Sequence, residues 1–245
     1  MIVRSETGSL LLITQPDHAA LARRIMEQAI PLARTTRRDS ILYAVAEHDN
    51  GWREPDMAPS VDPATGELQD FVSAPVDVRQ AVWPRGVARL AADPWAAALV
   101  AQHALTVYGR LRTRPEWEAF FGEMERARDT YLHKAAANLD ELRRGYVFLR
   151  LGDLASLTFC NGWTKEQRYE GWTIRLDGAR LLITPDPFGG RDVPLAVTAR
   201  KLPNQRFASD ADAAAAYRSA KEVTCSGMAV GVPEPRDEVR IEATE

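Results

Sequence analysis

Apolar positions recur along this chain in two rhythms, and the change from one to the other near residue 161 divides it. At the start, Ile2-Val3-Arg4 and Leu10-Leu11-Leu12-Ile13-Thr14 flank the turn-forming Glu6-Thr7-Gly8, which predicts a hairpin over residues 2–14. A helical rhythm then takes over. Asp17, after Pro16, is a candidate N-cap, and Ala19, Ala22, Ile25, Met26 and Ala29 form a helical stripe that Pro31 interrupts. A second helix starts near Asp39 or Ser40, with Ile41, Leu42, Val45 and Ala46 on its buried side and Asn50-Gly51 as its stop. The stretch 51–76 carries Pro55, Pro59, Pro63 and Pro75 together with Asp62-Pro-Ala-Thr-Gly66. Ordered connections of that length tend to be lids or binding loops.

Helical pattern returns over 76–92, and Asp93-Pro94 signals the start of the next helix, PWAAALVAQHALTVYGRL. Apolar residues surround the axis of that helix, so it is expected to be buried, with His103 inside. Residues 116–144 form a long charge-rich helical segment containing His133, and Tyr146 to Phe159 reads as a further core helix carrying Asp153. Beyond Asn161-Gly162-Trp163 the rhythm shortens to strand-like runs, TIRLD, ARLLITPDPF and VPLAVTARKL, separated by Asp-Gly, Pro-Asp-Pro and Gly-Gly turns. One helix over about 209–221 follows, then a charged tail after Pro233. The pattern predicts a mainly α chain: a helical domain with its N-terminal hairpin over 1–160, a small strand-rich α+β extension over 161–233, and a flexible tail over 234–245.

Composition narrows the function classes. The 245 residues include 31 Lys plus Arg against 34 Asp plus Glu, a net charge of −3. No basic footprint for a nucleic-acid polymer is present. Cys160 and Cys225 form no CxxC pair, which points to a reduced compartment. The apolar part of the N-terminus is too short for a spanning helix and lacks a signal-peptide cleavage site. A cytoplasmic protein with no membrane association is therefore expected; a homo-oligomer stays open.

The chain has only four histidines, His18, His48, His103 and His133, and a plain structural role is open to each. His48 sits where a helix dipole favours it, His18 at a helix start, His103 where a hydrogen-bonded core histidine is common, and His133 four residues from Asp129 on a helix surface. Adjacent helix residues point about 100° apart, but at a helix end His48 and Asp49 can converge on one ion. With His18 from the preceding helix and Asp153 from a later one, two His and two Asp would hold a divalent ion. Asp153 lies between Leu151 and Leu154, where an acid is costly to bury without a partner. His103 and His133 would serve a second ion, with Asp49 bridging. Mixed N and O donors do not choose among Fe, Mn, Ni, Zn and Mg.

The ordered set His18, His48-Asp49-Asn50-Gly51, His103 and Leu149-Arg-Leu-Gly-Asp153-Leu-Ala155 resembles the His…His-Asp…Asp motif of the HD-domain superfamily of metal-dependent phosphohydrolases. The hairpin, the Asp62–Gly66 loop and Thr184-Pro-Asp-Pro-Phe188 further resemble an uncharacterised bacterial family, a domain of unknown function related to it. The resemblance implies an HD-like helical metal-binding bundle over roughly 15–160, with His18, His48, Asp49 and Asp153 as ligands, His103 as an extra ligand and His133 as a further one. It implies a hydrolase acting through metal-activated water on a small, anionic, phosphorylated or nucleotide-like molecule. A diiron oxygenase similar to myo-inositol oxygenase is the enzyme alternative, and a non-catalytic ligand-binding module is the other. Dinuclear members place a lysine after His-Asp-x-Gly where this chain has Trp52, so Arg53, Glu54 and Asp56 are the candidates for that catalytic role.

Overall fold

The computed structural model describes residues 1–234. Nine α-helices and seven strands are found among them, besides three single-turn 3-10 helices, in the order β1 (Ile2–Glu6), β2 (Ser9–Ile13), α1 (Gln15–Glu27), α2 (Ile30–Ala33), α3 (Arg38–Glu47), α4 (Arg53–Met57), α5 (Val76–Arg89), α6 (Pro94–Val107), α7 (Glu118–Lys134), α8 (Leu139–Asn161), β3 (Gln167–Tyr169), β4 (Trp172–Asp177), β5 (Arg180–Thr184), β6 (Val193–Pro203), α9 (Asp210–Ser219) and β7 (Lys221–Gly231). The expected tail lies, from residue 235 onward, outside the described residues.

The expectation of a mainly α bundle is overturned. The structure is 51% helical and 21% strand, and its strands form one curled, mixed half-barrel sheet in the order β1-β2-β6-β7-β5-β4-β3. The N-terminal hairpin is the edge of that sheet: β2 pairs antiparallel with β6 from Ser9↔Pro203 to Leu12↔Arg200. Local periodicity reports that a strand exists and which face it buries, but not its partner far along the chain. β7 inserts between β6 and β5, antiparallel to the first and parallel to the second.

This placement explains why Ser9-Leu-Leu-Leu-Ile13 is buried throughout instead of alternating. Leu11 and Ile13 face the main core with the helices, while Leu10 and Leu12 face a smaller cluster with Phe207, Ala213 and Tyr217 of the α9 region. A strand covered on both faces reads as a continuous apolar run. β6 keeps the two-residue alternation, with Val193, Leu195, Val197 and Ala199 buried between exposed neighbours.

The helices pack as a layer whose centre is α1, α3, α6 and α8, and α1 and α8 also rest on the sheet. α8 starts at a capping box: Asn138 Oδ1 accepts from the Asp140 and Glu141 amides, and Glu141 accepts from the Asn138 amide. That box splits the single segment expected over 116–144 into α7 and the start of α8. Among the described residues no helix is long and apolar enough to cross a membrane.

Candidate metal centre

Four helices bring their polar residues to one point inside this layer. α1 leaves β2 directly, capped by Thr14, whose hydroxyl accepts from the Asp17 amide at 3.1 Å; its first turn delivers Gln15 and His18. α3 ends at Glu47, His48 keeps helical angles, and Asp49 departs to φ −109°, ψ 18°. The change of direction lets two adjacent side chains turn to one centre.

Helix α5 holds that departure in place. Arg89 donates to Asn50 O at 2.6 Å, Arg85 to Gly51 O at 2.8 Å, and Asn50 Nδ2 to Gly86 O at 3.2 Å. A Cβ on Gly51 would lie 1.9 Å from Val82 O. Glycine is therefore required by the approach of α5, not by a left-handed stop. Gly152 acts similarly on α8: its Cβ would meet Met26 Cγ at 2.7 Å and Val45 Cγ1 at 3.3 Å. This close packing of α8 on α1 and α3 carries Asp153 to the centre, while α6 brings His103.

His18, His48, Asp49, His103 and Asp153 are all buried. His18 Nε2 lies 3.0 Å from Asp49 Oδ2 and 3.8 Å from Asp153 Oδ1. His48 Nε2 lies 3.2 Å from His18 Nε2, 3.5 Å from Asp49 Oδ2 and 3.4 Å from Asp153 Oδ1. His103 Nε2 is 3.7 Å from Asp153 Oδ2. Donors about 2.1 Å from a shared ion in tetrahedral or octahedral arrangement are spaced by roughly 3.0–3.4 Å. The donor set thus fits a divalent cation, as two triads that share His48: His18-His48-Asp49 and His48-His103-Asp153.

The other ring nitrogens are held. His48 Nδ1 donates to Val45 O at 2.8 Å. The Ser156 hydroxyl donates to Asp153 O at 3.0 Å, so its oxygen accepts from His18 Nδ1 at 2.7 Å. His103 Nδ1 pairs with the Tyr146 hydroxyl at 2.9 Å. With Nδ1 of both rings engaged outward, the Nε2 atoms of His18 and His48 face each other and the carboxylate oxygens. The carboxylates are balanced here by a proton on His48, in whose place a divalent ion could stand, and outer hydrogen bonds of this kind orient metal-binding histidines.

The ionisation of the cluster follows the same logic. Burial works to lower the His48 pKa, but Asp49 and Asp153 outweigh it and raise it to about 9. Burial works to raise Asp49 and Asp153, yet both are lowered, Asp49 by His48 and His18, Asp153 by His48 and Arg150. Burial takes His103 down to about 3, keeping it neutral. Arg150 also hydrogen-bonds Asp153 Oδ2.

A cavity of about 510 Å³ opens on the cluster, lined by Asp49, His103 and Asp153 and walled by aromatic side chains that include Trp52. Phe71 and Val72 of the long connection also line it.

Some predicted residues lie elsewhere. His133 is exposed on α7 and outside both triads. Arg53 pairs with Glu47 at 2.6 Å, and Glu54 pairs with Arg89 and Arg85, which lowers its pKa. Asp56 accepts from the Met1 amino group and, at 2.5 Å, from the Gln15 amide. None of the three lines the cavity on the cluster. Gln15, Arg79, Trp83 and Arg150 do line it, and sequence reasoning passed over them. For Arg150 a signal existed, since an arginine three residues before a buried aspartate lies on the same helix face.

A family model described as a protein of unknown function (DUF3891) matches residues 1–204, a span that includes every residue of the cluster and its cavity. No curated protein and no solved structure matches the chain.

Proposed function

Because the chain belongs to the DUF3891 family, whose function is unknown, we propose a function from its own residues: a metal-dependent hydrolase of a small anionic, phosphorylated substrate. The observation that carries the reading is the convergence of three histidine Nε2 atoms and two carboxylates with their outer hydrogen bonds directed away from the centre. The likeness to the HD superfamily belongs to this reading as a likeness of motif, in which His18, His48, Asp49 and Asp153 are the ligands and His103 joins a second triad.

A divalent ion held there would supply hydroxide at neutral pH by lowering the pKa of its water. The protein's part is separate. Asp49 and Asp153 together balance a divalent charge, so Arg150 leaves the cavity positive toward an anion. Arg150 holds Asp153 Oδ2, which leaves Oδ1 toward His18 and His48. The walls restrict water around the reacting bond.

Five buried donors around one point leave room for one further reading, a dinuclear iron site performing oxygen chemistry, in which a carboxylate would have to bridge because His48 Nε2 serves a single ion. A screen of phosphomonoesters with protein loaded in turn with Fe, Mn, Ni, Zn and Mg tests the first reading. Chelator-sensitive phosphate release, restored by one of these ions, is expected. Iron-dependent oxygen uptake without phosphate release would replace hydrolysis with the oxygenase, and metal uptake with neither would favour a binding module.

A further inference from the structure

The cavity on the cluster has polar atoms at separate places in an otherwise apolar wall. Trp83 and Arg79 lie one turn apart on α5 and both line it. Trp83 is 5% exposed, and its ring packs edge-on against His103 with centroids 5.6 Å apart and against Tyr108 at 6.0 Å. The aromatic wall therefore begins at the cluster itself. Phe71 and Trp163 extend it.

Two buried polar atoms of this lining, Gln15 Oε1 and Arg79 Nε, have no hydrogen-bond partner among the described residues, while Trp83 Nε1 is turned to the Tyr108 hydroxyl. Gln15 is 2% exposed. Unpaired buried polar atoms cost stability, so the protein itself leaves the polar side of this lining unsatisfied. The Arg79 guanidinium carbon lies over the Trp117 ring, 5.6 Å from its centre, a contact that positions this half-buried arginine at the cavity. Arg110 stands exposed at the same cavity.

From these observations we infer that the cavity selects an organic oxyanion with a flat apolar body, the anion read by Arg79 and Arg110 and the body lying on the wall of Trp83 and Tyr108. This deepens the hydrolase reading, and rests on it for which end of the ligand reacts. Arg79 is the specificity residue, in place of Arg53, Glu54 and Asp56. A small hydrophilic phosphate ester would leave the aromatic wall uncovered; an aryl ester covers it.

Two probes with one headgroup separate these cases. Binding of phenylphosphonate and methylphosphonate is measured by calorimetry on metal-loaded and chelated protein, with metal content determined in each. Phenylphosphonate is expected to bind at least about tenfold more tightly, since the ring buries apolar area. Arg79→Gln is expected to weaken it about tenfold, with Arg79→Lys recovering part of the loss and both variants keeping the wild-type circular dichroism. Equal affinity for the two probes overturns the inference, as does undiminished binding by Arg79→Gln. Metal uptake with no probe binding also overturns it while leaving the metal centre standing. A phenyl preference that depends on Arg79 in a protein unable to take up metal would sustain the inference and remove the hydrolase reading.

Discussion

Ser156→Ala tests whether the outer hydrogen bonds set the cluster, because it removes a single oxygen at the end of that network. Ser156 is fully buried and its hydroxyl connects His18 Nδ1, at 2.7 Å, to Asp153 O, at 3.0 Å. His18 is also fully buried, so no water replaces the lost acceptor and an imidazole N–H is left unpaired. That costs about 1–3 kcal/mol, or a fall in melting temperature of roughly 2–12 °C for a chain of this size. The released ring can also turn its proton to Nε2, the atom proposed to bind metal. Loss of such an outer partner lowers metal affinity roughly 10- to 100-fold. Competition against a chromophoric chelator reads the affinity, and thermal melting with and without metal reads the stability. A lowered melting temperature with unchanged affinity would refute the reasoning, since Ser156 would then only fill space.

Other substitutions separate fold from site. Gly51→Ala places a methyl against Val82 O and is expected to destabilise by about 1–3 kcal/mol or more, with metal affinity falling as Asp49 shifts; denaturant titration and chelator competition check both. Asn138→Ala removes the capping box of α8 and is expected to cost about 1 kcal/mol with metal affinity intact. His133→Ala is expected to leave metal stoichiometry unchanged by elemental analysis. For pH, the His48 pKa of about 9 in the metal-free protein exceeds that of an unfolded histidine, about 6.5. Its stabilising contribution is therefore complete below about pH 6.5 and lost as pH rises through about 9. Metal-free protein is expected to melt progressively lower across that window, and metal uptake at pH 7 to release a proton into weakly buffered solution. A flat melting profile would contradict the network around His48.

Much of the helical layer was legible because its signals are local. Asp93-Pro94 marks the start of α6 with Asp93 as its cap, and the all-round apolar surface of that helix places His103 inside. The convergence of His48 and Asp49 follows from a helix end, which the sequence also displays. Other features depend on distant partners. The sheet was misjudged because β2 finds β6, and β7 finds both β6 and β5, through pairings that no local rhythm encodes. Lys221–Gly231 lacks a clean alternation of buried and exposed residues, so this inner strand went unrecognised. The break between α7 and α8 was written in Asn138 and Glu141, a capping pair inside a charge-rich stretch. Arg53, Glu54 and Asp56 follow the motif in sequence, yet α4 turns them to partners away from the cavity, whereas Arg79 and Trp83 reach it from a helix beyond the long connection. Nearness in sequence was a poor guide because the motif sits at a change of chain direction.

Elemental analysis of purified wild-type and His48→Ala protein, with circular dichroism on both, tests the central claim most directly. The account predicts one or two divalent ions per chain in the wild type, at least one of them lost in the variant while its fold persists. A wild-type protein that carries no stoichiometric metal and takes up none of Fe, Mn, Ni, Zn or Mg on addition would contradict it.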